Sequence, residues 1–182
     1  MNAEEFKEKV LPVNQKLFRL SFRFLGSVQE AEDVVQEVYL KLWNMRNKLE
    51  EINKVEAFAT TMTKNLCLDK IKARRTVSIE DKLLSLNNKA SVTENPLEIS
   101  ESSENINLVR LIIDSLPEQL KSVMIMRDLE EYEFEEIQEI TGLTMNNIRV
   151  SLSRARKLVR NELIKVHEYG IKNNKSTSGK IL

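Results

Sequence analysis

A chain of 182 residues has room for one domain or two small ones. Charged residues at 31% and hydrophobic ones at 41%, with four glycines and three prolines, suit a mostly helical protein and argue against a sheet. Twenty-eight basic residues balance twenty-eight acidic ones, and the single cysteine, Cys67, excludes an internal disulfide framework and fits a reducing cytoplasm.

At the N-terminus, MNAEEFKEKVLPV has no cationic region followed by a sustained apolar run, so no secretory signal is expected. No stretch approaches the roughly 20 apolar residues of a spanning helix. The expected location is the cytoplasm. The first clear element is AEDVVQEVYLKLW (31–43), where Val34, Val35, Val38, Tyr39 and Leu42 share one side of a helix. Asp33, Gln36, Glu37 and Leu40 fall on the opposite side at i, i+3, i+4 and i+7.

VEAFATTMTKNLCLDKIKARR (55–75) follows, with Phe58, Met62, Leu66, Leu68 and Ile71 spread around most of its circumference. Its last turns become basic through Lys70, Lys72, Arg74 and Arg75. Residues 76–107, rich in Ser, Asn and Glu and containing Pro96, show no sustained helical period and read as an acidic linker between two compact halves. Loops this long inside one domain are uncommon.

The second half opens with SLPEQLKSVMIMRDLE (115–130), a predicted helix with Ser115 as N-cap and Pro117 in the first turn. EFEEIQEITGLT predicts a short helix that stops at Gly142, where a tight turn favours a residue able to take positive φ. Thr144 can cap the next helix. There Ile148, Leu152, Ala155, Val159 and Leu163 line one stripe, with Arg149, Ser153, Arg156, Lys157 and Arg160 roughly opposite and Arg154 nearer the edge. Short helix, turn with glycine, amphipathic helix: this is a helix-turn-helix pattern. Residues 166–182 read as a disordered polar tail.

Charge is sorted sharply here. IRVSLSRARKLVR (148–160) carries five cations and no carboxylate, whereas EEYEFEEIQE (130–139) carries six glutamates and no cation. A helix that buries one face and offers only cations on the other suits the phosphates of a DNA major groove. Arginine also donates in pairs to guanine O6 and N7. The glutamates read as solvated surface, or as a shield against unproductive DNA contact. No catalytic set emerges: His167 is the only histidine, Cys67 lies in a largely apolar helix, and Gly26, Gly142, Gly170 and Gly179 form no phosphate loop. No enzyme activity, metal, cofactor or small-molecule substrate is expected.

Three quoted stretches together, AEDVVQEVYLKLW, FATTMTKNLCLDKIKARR and LPEQLKSVMIMRDLEEYEFEEIQEITGLTMNNIRVSLSRARKLVR, resemble the extracytoplasmic-function (ECF) sigma factors of bacterial RNA polymerase. The resemblance implies an all-α protein of two small helical domains on a flexible linker: sigma region 2 at 6–75, the linker at 76–107, and sigma region 4 at 108–165. It implies that Asp33, Gln36, Glu37 and Leu40 dock on the β′ clamp of core polymerase. Asn47, Lys48, Asn53, Lys64, Asn65, Lys70 and Arg74 would handle melted minus-ten DNA. Thr144, Asn147, Arg149, Val150, Ser153, Arg154, Arg156 and Lys157 would bind the minus-thirty-five duplex, with Arg149, Val150, Ser153 and Arg154 toward bases and Thr144, Asn147 and Arg156 toward phosphates. A membrane-bound anti-sigma factor is a further partner that the resemblance suggests. The other reading of the residues is a stand-alone helix-turn-helix regulator with an unrelated N-terminal interaction domain.

Overall fold

The computed structural model describes residues 2–52, 54–85 and 101–177. Among them every regular element is helical. Helix α1 (Ala3–Val10) starts on a reciprocal cap. The Asn2 side chain accepts from the Glu5 N–H at 2.8 Å, and the Glu5 carboxylate accepts from the Asn2 N–H at 3.0 Å. A single 3-10 turn containing Pro12 leads into α2 (Asn14–Leu25), which stops at Gly26 with φ 75°. Ser27 caps α3 (Val28–Asn44) through the Glu30 N–H, and α4 (Val55–Ser85) follows a 3-10 turn at Lys48–Glu51. Then come α5 (Glu101–Asp114), α6 (Glu118–Met124), a π-helical turn at Ile125–Leu129, α7 (Phe134–Thr141) and α8 (Met145–Thr177).

Contacts gather these elements into two units. One comprises Met1–Asn95 with Ile125–Met145, and the other Pro96–Met124 with Asn146–Leu182. In the first, α2, α3 and α4 pack on one another around Leu17, Leu20, Phe24, Val34, Val38, Leu42 and Ala59, all buried. Each large side chain buried there contributes about 1.5–3 kcal/mol, which makes this trio the rigid base of the unit. Helix α7 packs on α4, and the π-turn packs on α2. In the second unit the buried set is Ile112, Ile113, Leu116, Val123, Ile148, Leu152, Ala155 and Val159. Gln119 Nε2 donates to Ser151 Oγ at 2.9 Å, tying α6 to α8, and the buried Lys121 ammonium is neutralised by Asp114 at 2.6 Å.

Several expectations need correction. Residues 76–85 continue α4 and 101–107 belong to α5, so helix enters both ends of the stretch expected to be a linker; 86–100 lie outside the described residues. Periodicity reports a buried face, and a helix can run past its buried face on backbone hydrogen bonds alone. The tail behaves likewise: α8 continues to Thr177, against the expected disorder from 166, and 178–182 are not described. Ser115 does not cap α6. Its hydroxyl donates to the Ile112 carbonyl at 2.7 Å and so finishes α5, while α6 begins after Pro117.

The helix expected through Glu130 turns π-helical at Ile125, where the Glu130 N–H reaches the Ile125 carbonyl at 3.0 Å. On α4, Phe58, Met62, Leu66 and Ile71 are only half-buried, and the fully buried positions are Ala59, Thr60, Thr63 and Cys67. Thr60 and Thr63 satisfy their hydroxyls on the carbonyls of Glu56 and Ala59 at 2.8 and 2.9 Å, which lets threonine sit in a core seam. The two-domain division expected along the chain, 6–75 and 108–165, is not among these corrections; by contacts alone Ile125–Met145 groups with the N-terminal helices.

Candidate nucleic-acid and partner interfaces

The α3 face is built as the wheel predicts. Ala31, Val34, Val35, Val38 and Leu42 are buried. Asp33 and Gln36 are exposed, Glu37 is half-exposed and paired with Lys41 at 2.7 Å, and Leu40 is 63% exposed. Leu40 thus stands open on the same face as these polar residues. Trp43, one turn further on, meets Phe6 edge-to-face at 5.2 Å and carries the Arg46 guanidinium over its ring.

Helix α8 shows its two faces as clearly. Gly142 closes α7 in the left-handed region at φ 71°, its N–H on the Gln138 carbonyl at 2.8 Å, and Thr144 stands immediately before α8. Ile148, Leu152, Ala155 and Val159 are buried, and Leu163 is half-buried. Asn147, Arg149, Val150, Ser153, Arg154, Arg156, Lys157 and Arg160 are all exposed. An exposed surface with five cations and no carboxylate between residues 148 and 160 concentrates the potential that draws a phosphate backbone.

The residues named for the minus-ten strand are less uniform. Asn47, Lys48 and Asn65 are exposed, Lys70 is half-buried, and Asn53 lies outside the described residues. Lys70 and Arg74 share a face of α4, one turn apart. Arg74 is already engaged: it pairs with Glu30 and donates to the Leu25 carbonyl at 3.3 Å, closing the base of α2 and α3. Lys64 is engaged too, its ammonium on the Ile140 carbonyl at the end of α7, 3.3 Å away.

Sequence reasoning missed a cationic row on α2. Lys16, Arg19 and Arg23 recur at i, i+3 and i+7, and all three meet carboxylates. Arg19 and Arg23 both donate through Nε to Glu130, at 3.1 and 2.9 Å, and that carboxylate is only 2% exposed. Lys16 meets Glu56 at 2.6 Å and Glu136 at 3.0 Å, and its ammonium lies 4.3 Å from the Tyr132 ring centre. Lys54 pairs with Glu139. The glutamate block is therefore not simply solvated surface. The signal available in the sequence was complementarity: an acidic run and a cationic row of matching helical spacing.

Protonation follows these contacts. Burial works to lower the Lys16 pKa, but the hydrogen bonds to Glu56 and Glu136 outweigh it and the net movement is upward. For Glu136 burial works upward, while the Glu133 backbone N–H and Lys16 pull harder and hold it below the ordinary carboxylate value. Burial pushes the Tyr132 phenol up to about 12. Among the described residues no group of acids, histidine and cysteine is arranged to hold a metal, and no helix is long and apolar enough to cross a membrane.

A helix-turn-helix whose second helix exposes cations and no carboxylate between residues 148 and 160, in one chain with helices that carry an acidic and leucine-bearing face, marks the class of transcription proteins that bind both DNA and a protein partner. Residues 12–77 match sigma-70 region 2 and residues 106–159 match sigma-70 region 4. The chain is 25% identical over 150 residues to the ECF RNA polymerase sigma factor SigE of Mycolicibacterium smegmatis, covering 82% of this chain and 58% of that protein. It is 23% identical over 169 residues to the ECF sigma factor SigW of Bacillus subtilis, covering 89% of this chain and 90% of SigW. In fold it is similar to the sigma factor RpoE of Bartonella quintana, solved in complex with the anti-sigma factor NepR. The TM-score is 0.64 at 23% identity, over 90% of this chain and 99% of that one. The chain belongs to the ECF sigma factors of RNA polymerase.

Proposed function

We infer that the chain serves as a promoter-specificity subunit, working in the cytoplasm and without chemistry of its own. The α3 face of Asp33, Gln36, Glu37 and Leu40 docks on the β′ clamp of core polymerase. The 3-10 turn after α3, with Asn47 and Lys48, and the exposed positions of α4, with Asn65 and Lys70, take the melted minus-ten strand. Helix α8 lies in the minus-thirty-five major groove, with Arg149, Val150, Ser153 and Arg154 toward bases and Thr144, Asn147, Arg156 and Lys157 toward the backbone. Since RpoE was solved with the anti-sigma factor NepR, a protein antagonist of that kind is the natural partner for the free chain.

The observation that carries this reading is the coexistence, in one chain, of the open Leu40 beside Asp33 and Glu37 on α3 and the exposed cations of α8, with no carboxylate from 148 to 160. A regulator that only bound duplex operators would need the second and not the first. Run-off transcription with purified core polymerase tests it. Promoter-dependent transcripts should require the added chain, and their absence over a library of promoters would refute it.

A further inference from the structure

Helix α8 is held at one rotation. Ile148, Leu152, Ala155 and Val159 are buried on the side it turns to its own unit, and Ser151, also buried, accepts from Gln119 Nε2 of α6 at 2.9 Å. At about 100° per residue, the middle of the opposite face is a row at i, i+4, i+7 and i+11, whose members each lie within about 40° of that middle. These are Asn146, Val150, Ser153 and Lys157, all exposed. The arginines stand to either side of the row, with Arg149, Arg156 and Arg160 on one flank and Arg154 on the other. Charge is thus gathered on the flanks, while Asn146, Val150 and Ser153 leave the N-terminal part of the row neutral.

A helix laid in a major groove meets base edges with its middle row and the two backbones with its flanks. Val150 marks this row as base-facing. It is 39% exposed, and an isopropyl group gains nothing from a phosphate, whereas on the groove floor it can pack on the methyl of thymine. Asn146 stands one turn earlier, as the second residue of α8, in the part of such a helix whose side chains meet base edges. Capping does not account for it, because Thr144 already occupies the place before α8. Helix propensity does not account for it either, since an asparagine amide competes with the backbone of its own helix. That amide presents a donor and an acceptor side by side. In the major groove the complementary pair belongs to adenine, whose N7 accepts and whose N6 donates; guanine offers two acceptors, and the pyrimidines one polar group each. We propose that Asn146 is a further specificity-determining residue and that the base it reads is adenine. The inference rests on the placement of α8 in the minus-thirty-five groove, and adds to that placement a residue and a base.

The test uses holoenzyme assembled from core polymerase and the full chain, selecting from promoters randomised over the minus-thirty-five element. The parent should enrich an element with adenine, on one strand or the other, at a position where N146A has lost its preference while the remaining positions keep theirs. The lost discrimination should be about five- to 150-fold, the value of one paired contact to a base edge. The adenine at that position is then replaced by 7-deazaadenine, which still pairs with thymine but carries a C–H in place of N7. Parent holoenzyme should bind this promoter about two- to tenfold more weakly, as loss of one hydrogen bond requires, and N146A should lose nothing further. Because Asn146 is exposed, N146A should melt with the parent. An unchanged selected element in N146A would overturn the inference. So would a uniform weakening over all sequences, which is the mark of a phosphate contact, or an equal cost of 7-deazaadenine to both chains. If R154A alters the selected element and N146A does not, the assignment of Asn146 falls alone. If the parent enriches no element and supports no promoter-dependent transcript, the proposed function falls with it.

Discussion

Reversing charge on the α3 face, D33K/E37K, should separate docking from folding. Asp33 is exposed, and Glu37 makes one described ion pair, with Lys41 at i+4 and 2.7 Å, both side chains close to half-exposed. Loss of such a pair costs about 0.3–0.5 kcal/mol. The like charge then set beside Lys41 costs a similar amount. The fold should therefore lose about 1 kcal/mol, a fall of roughly 4–8 °C in melting midpoint for a module of this size. Binding should suffer far more, because reversed charges in a desolvated interface leave their partners unpaired at a cost of about 2–5 kcal/mol. At 1.4 kcal/mol per decade that is roughly 30- to 4000-fold in the dissociation constant. Circular dichroism melts and a fluorescence assay of holoenzyme assembly measure the two quantities on the same preparation. Wild-type affinity in the variant would refute the docking face, and a melting fall well beyond 10 °C would refute the claim that these acids are idle in the fold.

Alanine at Arg154 should flatten the preference among minus-thirty-five variants and cost about 1–3 kcal/mol on the preferred promoter. Alanine at Arg156 should weaken all promoters alike and lower the salt slope by about one unit; exchanged behaviours would mean that α8 sits rotated in the groove. G142A meets no neighbouring atom but must hold φ 71°, so it should cost about 1–2 kcal/mol of stability, and G142N less; equal melts for parent and alanine variant would contradict the backbone argument. The Glu136 pKa is depressed in the fold, so the stability this carboxylate contributes is present above its ordinary value of 4.5 and lost as pH falls through the depressed one. Lys16, raised from 10.5, retains its share up to that value and loses it only at higher pH. E136Q should accordingly show a shallower loss of stability on acidification than the parent, and parallel acid titrations would count against the pairing.

What could be read from sequence was what repeats locally. The α3 stripe of Val34, Val35, Val38 and Leu42 declares itself by helical spacing, and Gly142 declares a left-handed stop because few other residues take that conformation cheaply. The cations of α8 are legible because a buried stripe fixes which way the remainder faces. Other features left no local trace. Helix beyond Thr76 in α4 and beyond 166 in α8 has no apolar period to announce it. Arg19 and Glu130 stand 111 residues apart, and no window of sequence contains both. The core seam of α4 misleads in the other direction. Thr60 and Thr63 look like surface residues until their hydroxyls are seen returning to their own helix, while Phe58 and Met62 look like core and are half open.

The π-turn at Ile125–Leu129 amounts to one surplus residue inside a helix, and that makes it a place where chain length acts as an adjustment. Deleting a single residue there would restore regular winding and rotate everything after it by roughly 100° about the helix axis. Glu130 would swing away from Arg19 and Arg23, although no charge had been removed and no core side chain exchanged. A small deletion could thus alter the acidic seam as sharply as the substitution of its anchor, and alignments of such chains that force this turn into a continuous helix would erase the residue that matters.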